Sequence, residues 1–284
     1  MFNLIKIAAV ASLGLSALSA PAMATPILGL DLASFAVLGA AGVTNVPTST
    51  IGGNLGSAPN ASVGGGYTFT AGSLQANTAL AQNAQIQLDA AIVAVNAFGP
   101  GTTITGGDLD AWQSANGGSI TPGVYTVPAL SENLVGALIL DGGGSNTAVW
   151  VFLFPSTLIA STTSTVTLQN IGDGANVGLY WSVASAATLN GPTFAGNVLA
   201  HDLISSDGNL IITCGRLLSA ETQVTLIQDS ISITGCGNAS GGYDQGADIG
   251  GLGSEAVPEP GAALLLGAGL AALFASRKKS SAAA

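Results

Sequence analysis

From residue 149 onward the sequence returns, about every twenty residues, to the same three short runs, and this repeat limits the possible folds more than any other feature. The first run is bulky: Val149 to Phe154, Val177 to Trp181, Gly196 to Ala200 and Gly215 to Ser219. The second follows as Ser156 to Ala160, Ala186 to Leu189, Leu203 to Ser205 and Gln223 to Leu226. The third includes Ser164 to Leu168, Thr193 to Ala195, Asn209 to Ile212 and Ser230 to Ile233. Runs this short, alternating apolar with polar and bounded by Gly, Asn, Asp and Ser, read as β-strands. Each can bury its apolar side only against the next repeat, so the chain is expected to be mostly β, a β-solenoid of triangular cross-section. Alternation turns Leu158, Val166, Leu189, Val224 and Leu226 inward. The outward set of the second run is small and uncharged.

One segment breaks the pattern. Residues 73–98 contain neither Gly nor Pro and are rich in Ala, Gln and Leu, good helix formers. Leu80, Ala84, Leu88, Ala91 and Val95 fall on one stripe, which predicts an α-helix capped by Ser73 and ended by Gly99-Pro100. The first run of the repeat carries Trp150, Phe152 and Phe154 on one side and Val151 and Leu153 on the other. A strand apolar on both sides needs cover on both, so the helix is expected to lie alongside the solenoid, over the aromatic first-run face.

The two ends read as address labels. Residues 1–24 have Lys6, an apolar stretch and Ala22-Met23-Ala24, the layout of a secretory signal peptide. Residues 257–279 hold Pro258-Glu259-Pro260, an apolar run from Gly261 to Ala275, and Arg277-Lys278-Lys279. That run is short for a bilayer, but flanking cations favour stopping there with the basic end inside. The boundaries expected are therefore 1–24 signal peptide, 25–236 solenoid body, 237–256 flexible linker, 257–279 sorting and membrane segment, and 280–284 tail.

Charge narrows function. Of five Lys and Arg only Arg216 lies between residues 25 and 256, beside fourteen of the fifteen acidic residues. Nucleic acid is excluded as a partner, because phosphate binding needs clustered cations. The single His201 gives little to a triad or a His-rich metal site and suits a surface position. Asp108 and Asp110 beside Leu109 read as turn caps, and the Asp-Gly steps at Asp141 and Asp173 as turns. No cofactor and no enzymatic activity are expected. Cys214 and Cys236 read, in an exported chain, as one disulfide joining the last turn to the one before; two buried thiols are the alternative.

The tail closely resembles the PEP-CTERM sorting signal of Gram-negative envelope proteins, which implies a membrane-embedded sorting protease as partner and an exported, cell-surface or secreted location. The body resembles the microbial ice-binding β-solenoid family over roughly Leu28 to Ile233. The resemblance is carried by Leu32 to Gly39, Val43-Thr44-Asn45, Ile51 to Gly56, the helical segment, Ile120 to Tyr125, Leu138 to Gly142, Trp150-Val151-Phe152, Tyr180 to Val183, Ala187-Thr188-Leu189, Phe194 to Ala200 and Gly215 to Leu218. It implies a discontinuous right-handed β-solenoid with one long α-helix packed alongside, whose N-terminal strands pack with the C-terminal coils. It also implies adsorption to an ice crystal surface through one flat face; the protein is expected to be a monomer.

Physically, such a face must be flat, rigid and uncharged, so that it orders water without charge-centred shells. The outward second-run residues Thr157, Ile159, Ala186, Thr188, Ser205 and Thr225 meet that description. The third run offers Thr165, Thr167, Thr193, Ser230 and Ser232 as a weaker candidate. The competing reading is a structural or adhesive envelope protein that holds polysaccharide or neighbouring cells on the same scaffold.

Overall fold

The computed structural model of the protein describes residues 27–174 and 176–234. These fold into stacked coils whose strands all pair in parallel and form three stacks. The second stack is the simplest: Leu158–Ala160, Ala187–Leu189, Ile204–Ser206, Gln223–Ile227 and Gly42–Val46, in that spatial order. The first stack passes through Gly123–Thr126, Val149–Phe154 and Gly178–Val183, then the latter halves of Thr193–Ala200 and Ile211–Ser219, and ends on Phe35–Gly39, Asn54–Ser57 and Leu74–Ala76. The third runs through Ala137–Asp141 and Thr165–Gln169, the opening halves of Thr193–Ala200 and Ile211–Ser219, then Ser230–Ser232, Ser49–Gly52 and Tyr67–Ala71.

The N-terminal strands therefore continue the stack beyond the last C-terminal coil. Val37 pairs Leu217, Val224 pairs Val43, and Ser230 pairs Thr50. All three runs of the repeat are strands, with one difference. In two coils the third run flows into the first as one strand, Thr193–Ala200 and Ile211–Ser219, bent by a register shift after Phe194. Glycine permits the bend: Gly196 has φ +88° and pairs Gly215, where a Cβ would collide with the Gly196 carbonyl oxygen.

Alternation decides which residues fill the coil interior. Leu158, Val166, Leu189, Val224 and Leu226 are all buried, as expected. Trp150, Phe152, Phe154 and Trp181 are also inside, with the Phe152 and Trp181 rings stacked at 4.4 Å. Both indoles are satisfied: Trp150 Nε1 donates to the Ile120 carbonyl at 3.0 Å and Trp181 Nε1 to that of Ala195 at 2.8 Å. This corrects the expectation that a helix covers the aromatic face. The aromatics line the interior, and the opposite side of the same strands carries Val149, Val151, Tyr180, Leu199 and Leu218.

That opposite side is covered by two helices, α1 (Leu30–Ala33) and α2 (Ala79–Asn96). Helix α2 buries Ala81, Ala84, Leu88, Ala91 and Val95, the expected stripe except that Ala81 takes the place of half-buried Leu80. The helix is shorter than the expected 73–98. Leu74–Ala76 is a strand that pairs Asn54–Ser57, and Asn77 has φ +50°, which stops a helix from continuing backward. The cap is therefore Thr78, whose side chain accepts from the Ala81 N–H, and Ser73 is not a cap. Here strand pairing overrides helix propensity. A third helix, α3 (Leu109–Ala115), is capped by Asp108, so the expected turn-capping role of that acid extends to starting a helix.

Between the second and third stacks, Asp229 is 1 % exposed. Its carboxylate accepts from Ser206 Oγ at 2.6 Å, the Leu210 N–H at 2.9 Å and the Ile227 N–H at 3.0 Å. Its own N–H donates to Ser49 Oγ at 3.0 Å, so one acid ties three coils at a corner. Burial pushes its pKa up from the ordinary carboxylate value, against the lowering effect of those hydrogen bonds. The folded chain thus holds this proton more tightly than the unfolded chain. The stability so gained is fully present below the unfolded pKa and is lost as pH rises through the folded one. Thermal melts should therefore show the parent gaining stability relative to Asp229→Asn as pH falls through that window. Parallel pH profiles for the two proteins would assign the effect to another group.

Candidate functional site

The second stack brings four of the expected residues into one row. Ile159 pairs Thr188, Thr188 pairs Ser205, and Ser205 pairs Thr225, each in direct register. Their side chains are half-buried, while Leu158, Ala187, Ile204 and Val224 beside them face the core. Strand alternation produces this split, since successive side chains leave opposite sides of the sheet. Thr157 and Ala186, one residue before Leu158–Ala160 and Ala187–Leu189, are half-buried at the edge of the same stack.

The row has a fifth member outside the expected set. Thr44, on Gly42–Val46, pairs Thr225, and its Oγ1 donates to Thr225 Oγ1 at 3.0 Å. These two threonines are 181 residues apart in sequence. The Val43-Thr44-Asn45 motif is legible in the sequence, but it precedes the helix and lies outside the repeat, so alternation alone could not place it in this row.

Geometry makes the stack a regular surface. None of its four strand pairings contains a register shift. At about 4.8 Å per strand, five rungs span roughly 19 Å. No residue of the row is ionisable, so bound water meets methyl and hydroxyl groups only. Such groups can hold a water layer in fixed positions without the radial orientation that a charge imposes.

The third-run candidates are also on one stack, with Thr165 paired to Thr193 and Ser230 to Thr50. Thr167 is exposed and Ser232 is half-buried. That stack opens between Thr165–Gln169 and Thr193–Ala200, where the Thr165–Thr193 pair is the register contact, leaving a groove of about 310 Å³ lined by Val166, Thr167, Phe194 and Thr213.

Elsewhere the chemistry-bearing residues do structural work. His201 is exposed in a turn, with Nδ1 at 3.2 Å from Asp202 Oδ1. Hydrogen bonds from Gly143, Gln169 and Asn170 hold the Asp141 carboxyl below its usual value, consistent with a turn acid. Asp110 accepts from the Val135 N–H at 2.8 Å. Among the described residues no group of three His, Cys, Asp or Glu stands close enough to hold a metal ion. Cys214 is buried and disulfide-bonded. Cys236, the 1–24 signal peptide, the 237–256 linker and the tail lie outside the described residues.

Arg216, the lone cation expected in the body, is fully buried. Its Nη1 donates to Asn197 Oδ1 at 2.7 Å and its Nη2 to the Ala33 carbonyl at 2.5 Å. It fastens the α1 segment to the C-terminal coils and leaves the outer surface to neutral and acidic groups.

Comparison with known proteins agrees with this architecture. Residues 37–232 match the model of the family described as ice-binding-like, and residues 256–279 match the PEP-CTERM protein-sorting motif. That motif indicates export and anchoring at the cell surface. An ice-binding protein of Nostoc sp. (strain HG1) is 34% identical over 269 residues, covering 93% of this chain and 92% of its own. One from Flavobacterium frigoris (strain PS1) is 27% identical and covers 71% and 74% respectively. The crystal structure of an ice-binding protein from the Antarctic ascomycete Antarctomyces psychrotrophicus superposes with a TM-score of 0.60 at 28% identity, covering 74% of this chain and 100% of that one. With its stacked parallel coils, its helix-covered side and a family match over most of its length, the chain belongs to the ice-binding-like family.

Proposed function

We propose that this protein adsorbs to ice through the second stack of a right-handed β-solenoid, and so inhibits ice growth or recrystallisation without enzymatic activity. The observation that carries the reading is the unbroken row Ile159, Thr188, Ser205, Thr225 and Thr44, uncharged and in direct register over five strands. Thr157 and Ala186 widen the same surface at its edge. Handedness follows from the rule that parallel strands in one sheet connect by right-handed crossovers. The rigid coil holds the methyl and hydroxyl groups in place before ice arrives, so little ordering entropy opposes adsorption.

The test replaces the central rung. Thr188→Tyr adds a bulky ring on the outward side and leaves the buried Ala187 and Leu189 untouched. Purified parent should facet growing ice crystals and show thermal hysteresis, and the folded variant should lose most of both. Full activity in that variant would remove the second stack as the adsorbing face. Smooth, disc-shaped crystals with the parent itself would sink ice binding and favour the adhesive envelope reading.

The proposal extends to the whole chain. Residues 1–24 are a signal peptide, 25–236 the monomeric ice-binding body with Cys214 bonded to Cys236, 237–256 a linker, and 257–279 a transient anchor cut by a sorting protease. Protein spanning residues 25–253 should then fold and act on ice as the full chain does. Aggregation, or loss of its β-sheet circular-dichroism signal, would make the tail part of the fold.

A further inference from the structure

We infer that the third stack carries a second ice-adsorbing face, set at an angle to the first, so that one molecule presents two surfaces to the crystal. The inference rests on the reading that the second stack binds ice.

Its basis is a row that no single stretch of sequence contains. Thr193 pairs Ile211, Ile211 pairs Ser230, Ser230 pairs Thr50, and Thr50 pairs Thr68. Five rungs thus come from both sides of the helix in the sequence, with Thr50 and Thr68 supplied by the N-terminal strands. Their neighbours Phe194, Ile212, Ile231 and Ile51 are buried, so the row itself faces outward. The register shifts of this stack fall after the row, beyond Phe194 and Ile51, and leave these rungs aligned.

The chemistry repeats that of the second stack: one branched aliphatic residue among hydroxyl-bearing ones, with no ionisable group. Ile211, the second rung, is 43% exposed. A large aliphatic side chain left in water within a hydroxyl row has the amphipathic character the adsorbing face requires. Thr193 and Ile211 stand on the wall of the groove, so the flat part of the row is Ser230, Thr50 and Thr68, with Ile211 at its edge.

Continuity with the first face is the second support. The two stacks are joined by corners of a few residues, such as those between Ala187–Leu189 and Thr193–Ala200, or between Gln223–Ile227 and Ser230–Ser232. Asp229 is buried inside the latter corner, and the charge on the edge the two faces share is that of exposed Asp207, at the corner between Ile204–Ser206 and Ile211–Ser219. Two faces built on one rigid coil are inclined to each other and cannot lie on the same crystal plane together. Each must meet a different set of planes.

The experiment follows fluorescently labelled full-length protein onto a single-crystal ice hemisphere and measures thermal hysteresis alongside. Parent protein is expected to cover two sets of planes. Ser230→Tyr should lose one set and keep the other, Thr188→Tyr should do the reverse, and the double variant should leave the ice bare. Ser230→Tyr covering both sets of planes with parental hysteresis would overturn the inference, as would a parent that covers one set which Thr188→Tyr abolishes. A parent that covers no ice at all would sink the second-stack reading together with this one. Should Ser230→Tyr melt well below the parent, Thr50→Tyr, at the next rung, gives the same reading by the same outcomes.

Discussion

Leu88→Asp protein is expected to melt about 10 °C or more below its parent, because the change costs several kcal/mol in a body of this size. Leu88 is fully buried in mid-helix, in the cluster that joins α2 to Leu32, Phe35, Leu38 and the outward side of the first stack. Truncating a buried leucine costs about 2–5 kcal/mol by lost transfer and cavity energy alone. An aspartate there adds the desolvation of a charge, and the residues packed in that cluster are apolar apart from the Tyr180 ring. The helix also holds the coils by polar contacts: Gln85 Nε2 donates to the Ser219 carbonyl at 3.3 Å and Asn96 Oδ1 accepts from Ser182 Oγ at 2.8 Å. Those contacts are peripheral and cannot offset a buried charge in the middle of the stripe. The effect should appear in a thermal melt followed by circular dichroism. A melting temperature within about 2 °C of the parent would mean that α2 does not pack on the first stack.

Arg216→Leu carries the second large effect, a loss on the order of 3 kcal/mol. The guanidinium reaches at least two acceptors, Asn197 Oδ1 through Nη1 and the Ala33 carbonyl through Nε and Nη2. Asn197 is itself fully buried, with Nδ2 donating to the Leu179 carbonyl at 3.1 Å. Leucine would fill part of the volume but leave those acceptors without their donor, at about 1–3 kcal/mol for each buried group. Local consequences should exceed the global one. Ala33 precedes Phe35–Gly39, the strand that continues the first stack from Ile211–Ser219, so amide exchange in Phe35–Gly39 should accelerate before the rest of the coil opens. Arg216→Lys should not rescue, because a single ammonium cannot reproduce the planar fork. Parental stability in the lysine variant would reduce the role of Arg216 to charge alone.

Much of this protein could be read locally. Period-two alternation determines which residue of each short run faces the core, because successive side chains leave opposite sides of a strand; Leu158, Leu189 and Val224 went in and Ile159, Thr188 and Thr225 out. Period-3.6 spacing likewise determined the buried stripe of α2 from Ala84 to Val95. The expectation that nucleic acid is not a partner likewise came from the scarcity of cations in the body, since that property is compositional. What alternation cannot state is what lies against each side. A strand such as Val149–Phe154 is apolar on both, and only packing shows the aromatics enclosed by the coil and Val149 and Val151 under the helix. Nor can local propensity foresee Leu74–Ala76 as a strand, because its stabilising partner, Asn54–Ser57, is some twenty residues away and competes with good helix-forming composition. The candidate rows show the limit most clearly. Four rungs of the second-stack row come from the repeat itself, but Thr44 joins Thr225 across 181 residues, and Thr50 and Thr68 extend the third-stack row in the same way. Parallel pairing between distant segments is decided by the collective burial of whole coils, an energy that no window of sequence contains, so the length of both faces belongs to the tertiary structure alone.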